Sequence, residues 1–252
     1  MADFDERTPG LPTNTQYKVM LAGYAWALTR IPGVAGKTLL DCACGTGYGA
    51  NRLAEGALKV VGVDVSPEAV ARCREVYKQE NLSFECMDAS ALKFPDACFD
   101  GVVSQDTVEH VKDDCAFLSE MKRVLKPGGV LVIFTPHSRV HNEKPENSFH
   151  LREYSPATFD RLLKGCFSDI KYYGRRLSPR LAALEKRLDS VRRADPFGLR
   201  RLLPVRLRHL AAGLLARARG LRGPAEITEA DAEFFEGLGD SPTIIAVCRK
   251  NI

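Results

Sequence analysis

No stretch of the 252-residue sequence reaches the roughly 18 consecutive apolar residues that a membrane-spanning helix requires. The opening residues, MADFDERTPG, are acidic and lack the apolar core of a secretory leader, so none is expected. Cysteine pairs at CxxC spacing are also missing. The eight cysteines (Cys42, Cys44, Cys73, Cys86, Cys98, Cys115, Cys166, Cys248) are scattered, several of them inside apolar runs. This usage predicts reduced thiols in a cytoplasmic protein and excludes a disulfide scaffold; no metal site is expected. The net charge is only +4, so total charge singles out no partner.

A composition of 45% hydrophobic and 27% charged residues is that of an ordinary soluble domain, and the length suits one domain carrying an insertion. The distribution of charge is less even. Between Arg175 and Arg222 fourteen Lys and Arg face three acids, a local +11 that leaves −7 for the rest of the chain. Within this segment Leu203, Leu207, Leu210, Leu214 and Leu221 share one side of a helix that Pro204 starts, with Arg206 and Arg217 on one flank and Arg208 and Arg219 on the other. Such a helix suits peripheral contact with an anionic membrane, or packs its stripe on the parent domain or on a second subunit in a homodimer. Nucleic acid is not expected, because the segment offers only Phe197 for base stacking.

Elsewhere short apolar runs alternate with amphipathic patterns, as in an α/β domain with a parallel sheet. Strands are predicted at Thr38–Ala43, Lys59–Asp64, Leu82–Cys86, Phe99–Ser104, Val130–Thr135, Ile170–Tyr173 and Thr243–Cys248. Ser66-Pro67 and Ser155-Pro156 are helix starts, and Phe117, Leu118, Met121, Val124 and Leu125 repeat at helical spacing before a stop at Lys126-Pro127-Gly128-Gly129. Residues 175–240 then read as a basic, largely helical insertion before the last strand.

The stretch LLDCACGTGYGA, from Leu39 to Ala50, places Gly45, Gly47 and Gly49 after the first strand, a pattern that brings backbone close to a nucleotide-type ligand. Asp64 ends the second strand, where a carboxylate accepts from both ribose hydroxyls. Asp41 is the discriminating residue. A carboxylate before the glycine turn repels a pyrophosphate by about 1–4 kcal/mol at 4 Å, yet it suits an ammonium group. S-adenosylmethionine combines an adenosine and an ammonium with no phosphate, and so matches both acids. Asp88, after the third strand, is placed to accept from the adenine amino group.

On these segments the sequence resembles the class I S-adenosylmethionine-dependent methyltransferases. LLDCACGTGYGA is similar to their motif I, VVGVDVSPEAV to motif II, CMDAS to the adenine-contacting segment, FDGVVSQDTVEHV to motif IV, and MKRVLKPGGVLVIFTP to the helix and strand that follow. The resemblance spans residues 36 to 173 plus the terminal strand. It implies a Rossmann-like, seven-stranded, mostly parallel sheet with an antiparallel last strand and helices on both faces. It also places Asp41, Ala43, Gly45 and Gly47 at the methionine end, Asp64 and Val65 at the ribose, Asp88 and Ala89 at adenine, and Gln105 beside the cofactor. The NPPY-type tetrad is absent, with Ser104-Gln105-Asp106-Thr107 in its place, which argues against methylation of DNA amino groups. NSFHLREYSPATFDRLL is similar to a phrase of glycan-associated methyltransferases, implying a sugar hydroxyl as acceptor.

Transfer to an alcohol requires a base. Between Pro136 and Glu153 lie His137, His141 and His150. His150 is favoured, with Glu153 three residues on to orient it; His137, which leaves the fifth strand directly, is the second candidate. His110 reads as a structural contact and Arg152 as a contact for an acceptor's phosphate or carboxylate. Other readings are a small aromatic or quinone-like acceptor, and a cofactor-binding module without turnover that recognises a partner. A nicotinamide oxidoreductase is disfavoured by Asp41.

Overall fold

The computed structural model describes residues 15–143, 145, 147, 149–179, 182–183 and 228–251. The stripe from Leu203 to Leu221, with its flanking arginines, lies outside the described residues. The chain divides into two compact units, Met20–Arg176 with Phe234–Ile252, and Met1–Val19 with Leu177–Glu233. In chain order the elements are α1 (Thr15–Leu28), β1 (Thr38–Cys42), α2 (Tyr48–Ala54), β2 (Lys59–Asp64), α3 (Pro67–Val76), β3 (Leu82–Cys86) and β4 (Phe99–Gln105). There follow α4 (Asp114–Val124), β5 (Leu125–Pro136), α5 (Pro156–Lys164), β6 (Asp169–Leu177), β7 (Ala232–Glu236) and β8 (Thr243–Arg249).

The strands form one sheet in the order β3-β2-β1-β4-β5-β8-β6-β7. β1 to β5 pair in parallel, and β8 runs antiparallel to both β5 and β6. Parallel strands covered on both faces read as unbroken apolar runs, which is why β1, β2 and β5 stand out in the sequence. Leu39, Leu40, Val102, Val103, Leu131, Val132 and Ile133 are all fully buried. The order reverses between β1 and β4, and the crevice outside the carboxyl ends at such a reversal is where α/β sheets bind ligands.

The helix starts fall where their chemistry places them. Ser66 Oγ accepts from Ala69 N at 3.2 Å ahead of α3, and Ser155 Oγ accepts from Thr158 N at 3.3 Å ahead of α5. On α4, Phe117, Leu118, Met121 and Val124 are fully buried. The helix stops as expected, at Val124 just ahead of Lys126–Gly129, but the next strand does not wait until Val130. β5 instead begins at Leu125, which pairs with Phe99 before the register shifts at Gly101. Asp100 anchors this bulge, accepting from Lys126 Nζ at 2.8 Å, Lys37 Nζ at 3.3 Å and Thr38 N at 3.0 Å.

The sheet has eight strands, one more than expected. The additional edge strand, β7, lies inside the segment 175–240 read as largely helical, and β6 reaches into that segment as far as Leu177. Aromatic packing holds the edge. The Phe234 ring stacks on Trp26 at 5.1 Å, and Gly174 lets Phe235 lie against β6, since a Cβ there would come within 2.5 Å of its ring. In the smaller unit, Thr228 caps the turn Glu229–Asp231, and Asp231 Oδ1 accepts from Ser178 Oγ at 2.9 Å. Among the described residues no helix is long and apolar enough to cross a membrane.

Candidate active site

Asp41, one residue before the end of β1, is fully buried, and its Oδ1 accepts from Tyr24 OH at 3.1 Å. Its Oδ2 is buried without a hydrogen bond. Burial, opposed by the Tyr24 hydrogen bond and the Ala50 backbone N–H and reinforced by the charge of Asp64, pushes the carboxyl up to about 7. On the adjacent β4, Gln105 is equally enclosed, and neither its Oε1 nor its Nε2 has a hydrogen bond. Buried polar groups left in that condition cost about 1–3 kcal/mol each. A ligand carrying an ammonium and further polar groups relieves both residues, whereas a phosphate would meet an acceptor at Asp41.

The three glycines of the loop differ in what they face. A Cβ on Gly49 would come within 2.0 Å of the Tyr24 ring, so this glycine exists to admit Tyr24. A Cβ on Gly47 would press on Cys73, Tyr77 and Phe84. Gly45, at φ +53°, has open space where its Cβ would lie, and it is the glycine that presents backbone to a ligand. Ala43 shares the left-handed conformation at φ +62°. Asp64 fixes this loop, accepting from Gly45 N at 2.8 Å on one oxygen and from Ser66 N at 2.9 Å on the other. Val65 beside it is 70% exposed, an apolar surface at the same edge. Asp88 is exposed, and its Oδ1 closes a turn by accepting from Ser90 N at 2.8 Å; Ala89 packs against the core.

After β5 lie the candidate bases. His137 Nδ1 is 2.7 Å from Ser241 O, and a ring nitrogen facing a carbonyl must donate, which leaves Nε2 as the basic nitrogen. The same residue Ser241 accepts on Oγ from Arg175 N at 2.8 Å. His150 is more constrained. Its Nε2 lies 3.0 Å from Asn147 Nδ2, and its Nδ1 lies 3.5 Å from Glu153 Oε1, so the expected His150–Glu153 pair is present. His110 donates from Nδ1 to Phe149 O at 2.7 Å and meets the His150 ring edge-on at 4.9 Å. Arg152 does not reach outward for an acceptor. Its guanidinium donates to Val111 O, Lys112 O and Asp114 Oδ2 at 3.1, 3.0 and 2.9 Å, bracing the loop.

Two residues escaped the sequence reading. Tyr24 lies in α1, whose apolar and aromatic residues show little helical periodicity, so nothing in it marks a partner for Asp41. Arg175 belongs by composition to the basic segment, but on β6 it is half-buried, and its Nη2 donates to Thr243 Oγ1 at 3.1 Å. Burial lowers its proton affinity, while the charge of Asp106 raises it.

Residues 40–133 match the family described as methyltransferase domain. Over this region the chain is similar to S-adenosylmethionine-dependent methyltransferases. It is 37% identical over 133 residues to a Mycolicibacterium smegmatis protein described as a probable S-adenosylmethionine-dependent methyltransferase, covering 52% of this chain and 51% of that protein. It is 38% identical over 114 residues to the 2-methyl-6-phytyl-1,4-hydroquinone methyltransferase of Synechocystis, covering 44% and 36%. The domain's fold is shared with phosphoethanolamine N-methyltransferase 2 of Haemonchus contortus, solved with S-adenosyl-L-methionine. The TM-score is 0.57 at 22% identity, covering 94% of this chain and 59% of that one. The matched region spans about half or less of the two sequence relatives.

Proposed function

We propose that this protein transfers the methyl group of S-adenosylmethionine to a hydroxyl of a sugar-type acceptor. The observation that carries the reading is the pair of unmet buried polar groups, Asp41 Oδ2 and the Gln105 amide, at the carboxyl ends of β1 and β4. Asp41 and Gly45 receive the amino-acid end, Asp64 the ribose, Asp88 and Ala89 the adenine. The bound cofactor supplies an electrophilic methyl on a sulfonium. The chain's own residues supply orientation and a proton acceptor: His137, with its Nδ1–H held by Ser241 O, takes the acceptor hydroxyl's proton on Nε2. The FHLREY phrase supports a glycan or glycan precursor as acceptor. The reading keeps the protein in the cytoplasm, with the +11 segment as its contact for an anionic membrane surface or a second copy.

The Synechocystis relative supports a second reading, in which the acceptor is a quinone-like ring. Labelled S-adenosylmethionine, incubated with the protein and fractionated cell extract, separates the two. Label in polar or lipid-linked glycans supports the sugar reading. Label confined to an organic-soluble, non-glycan product supports the quinone reading. Label found only in protein or nucleic acid defeats both, and S-adenosylhomocysteine released steadily with any acceptor excludes a module without turnover.

A further inference from the structure

We infer that Glu109, His110 and His150 form a binding site for a divalent transition-metal ion at the acceptor side of this domain. Glu109 and His110 lie on the turn Val108–His110 after β4, four and five residues past Gln105; His150 belongs to the loop that follows β5. One ligand atom of each residue lies within 4.8 Å of the other two, and Glu109 Oε1 is 4.0 Å from His110 Nε2. Donors sharing one ion at about 2.0–2.2 Å stand roughly 3–3.5 Å apart. Small side-chain rotations therefore close the set.

The surroundings are those that prepare metal ligands. A ligating imidazole normally donates its other nitrogen to a carbonyl or carboxylate, which fixes ring and tautomer. His110 does this through Nδ1 to Phe149 O at 2.7 Å, leaving Nε2 as the lone-pair nitrogen on the Glu109 side. Glu109 is fully buried, and its Oε2 is held by Thr135 Oγ1 at 3.0 Å. Its main-chain oxygen accepts from Leu151 N at 2.8 Å, tying the His150 loop to the same turn. His150 Nδ1 is buried and faces Glu153 Oε1 at 3.5 Å, which puts its proton on that side and leaves Nε2, 3.0 Å from Asn147 Nδ2, as the lone-pair nitrogen.

Two imidazoles with one carboxylate suit zinc, manganese, cobalt or ferrous iron, whereas magnesium favours an all-oxygen shell. Three protein ligands leave coordination positions open. An acceptor hydroxyl bound there loses its proton more readily, and its oxygen forms the bond to the methyl carbon as the sulfonium–methyl bond breaks. The released proton passes to His137. This role in transfer rests on the function proposed above; the ion site itself does not. It also recasts His150 as a ligand instead of the base.

The test uses the full chain without an affinity tag, stripped by a chelator and titrated with Co²⁺, followed by visible absorption, and with Zn²⁺, followed by calorimetry, in the absence of cofactor and acceptor. One ion per chain is expected, undisturbed by excess Mg²⁺. His110→Asn and His150→Asn should each weaken binding by about 10- to 100-fold, while His141→Ala leaves it unchanged. Folding of each variant is checked by circular dichroism and by S-adenosylmethionine binding; Glu109→Gln is informative only where it passes that check. Absence of saturable binding, or full binding in the His110→Asn/His150→Asn double variant, overturns the site. Turnover that persists after a bound ion is removed overturns its role in transfer and leaves the site standing.

Discussion

Tyr24 donates to Asp41 across 3.1 Å, from a helix upstream of the glycine loop to the buried end of β1. This contact lets an acid stand at the base of a nucleotide-type loop, because the phenol supplies the carboxylate with a donor that solvent does not reach. Removing only the hydroxyl, in Tyr24→Phe, is expected to destabilise the protein by about 1–3 kcal/mol, the cost of an unmet buried polar group. Denaturant unfolding at pH 8 measures it, and S-adenosylmethionine should recover part of the loss.

Asp41 also sets a pH dependence. Its pKa is raised from the ordinary carboxylate range to about 7. A carboxyl whose folded pKa lies above its unfolded value stabilises the fold when protonated, so its contribution is complete below about pH 4 and is lost as pH rises through about 7. An ammonium ligand prefers the ionised form. Cofactor affinity should therefore rise between pH 6 and 8, with proton release on binding near pH 6.5. Calorimetry in buffers of different ionisation enthalpy reads the proton count; affinity that falls with pH contradicts the assignment.

The glycines should separate cleanly. Gly49→Ala drives a methyl group into the Tyr24 ring, and an overpacking cost of about 1–3 kcal/mol is expected, seen as a lower melting temperature. Gly45→Ala meets no neighbour and costs about 1–2 kcal/mol of backbone strain at its positive φ. It should nevertheless lose cofactor binding, because its new methyl fills the space that the ligand needs.

Asp64→Ala removes the acceptor for Gly45 N and Ser66 N as well as for a ribose. Cofactor binding should weaken by about 10- to 100-fold, since hydrogen bonds to a charged group are worth roughly 1.5–3 kcal/mol. An unchanged dissociation constant by calorimetry would remove Asp64 from the site.

His137→Ala should lower turnover by about 100- to 10,000-fold while leaving cofactor affinity intact, the signature of a lost base. Equal losses in turnover and cofactor affinity would instead mark His137 as a brace for the loop.

Much of this was legible in the sequence because the physics is local. Parallel strands buried on both faces leave apolar runs, and Ser-Pro pairs start helices, so Lys59–Asp64 and Leu82–Cys86 were read to the residue. Asp41, Asp64 and Asp88 stand out in the sequence because each lies at or just past the carboxyl end of a strand. What was not legible depends on contacts between distant segments. Nothing near Tyr24 names Asp41, and Arg175 belongs by composition to a basic run but by geometry to β6. The Pro-Gly-Gly sequence ends α4 as it reads, but β5 already begins at Leu125 because Leu125 pairs with Phe99 on a distant segment. Glu109 and His150 are forty-one positions apart, and only the folded loop brings them together.

The hydrogen bonds at Asp41 and His137 bear on where this protein can be cut. The family-matched span, 40–133, contains the glycines together with Asp41, Asp64 and Asp88, yet the phenol that steadies Asp41 comes from residue 24, and the carbonyl that sets the tautomer of His137 comes from residue 241. A shortened version limited to that span would keep the recognisable signature and lose both anchors. The working unit is longer than its signature at each end, and grafts or fusions should preserve the stretch from α1 through β8.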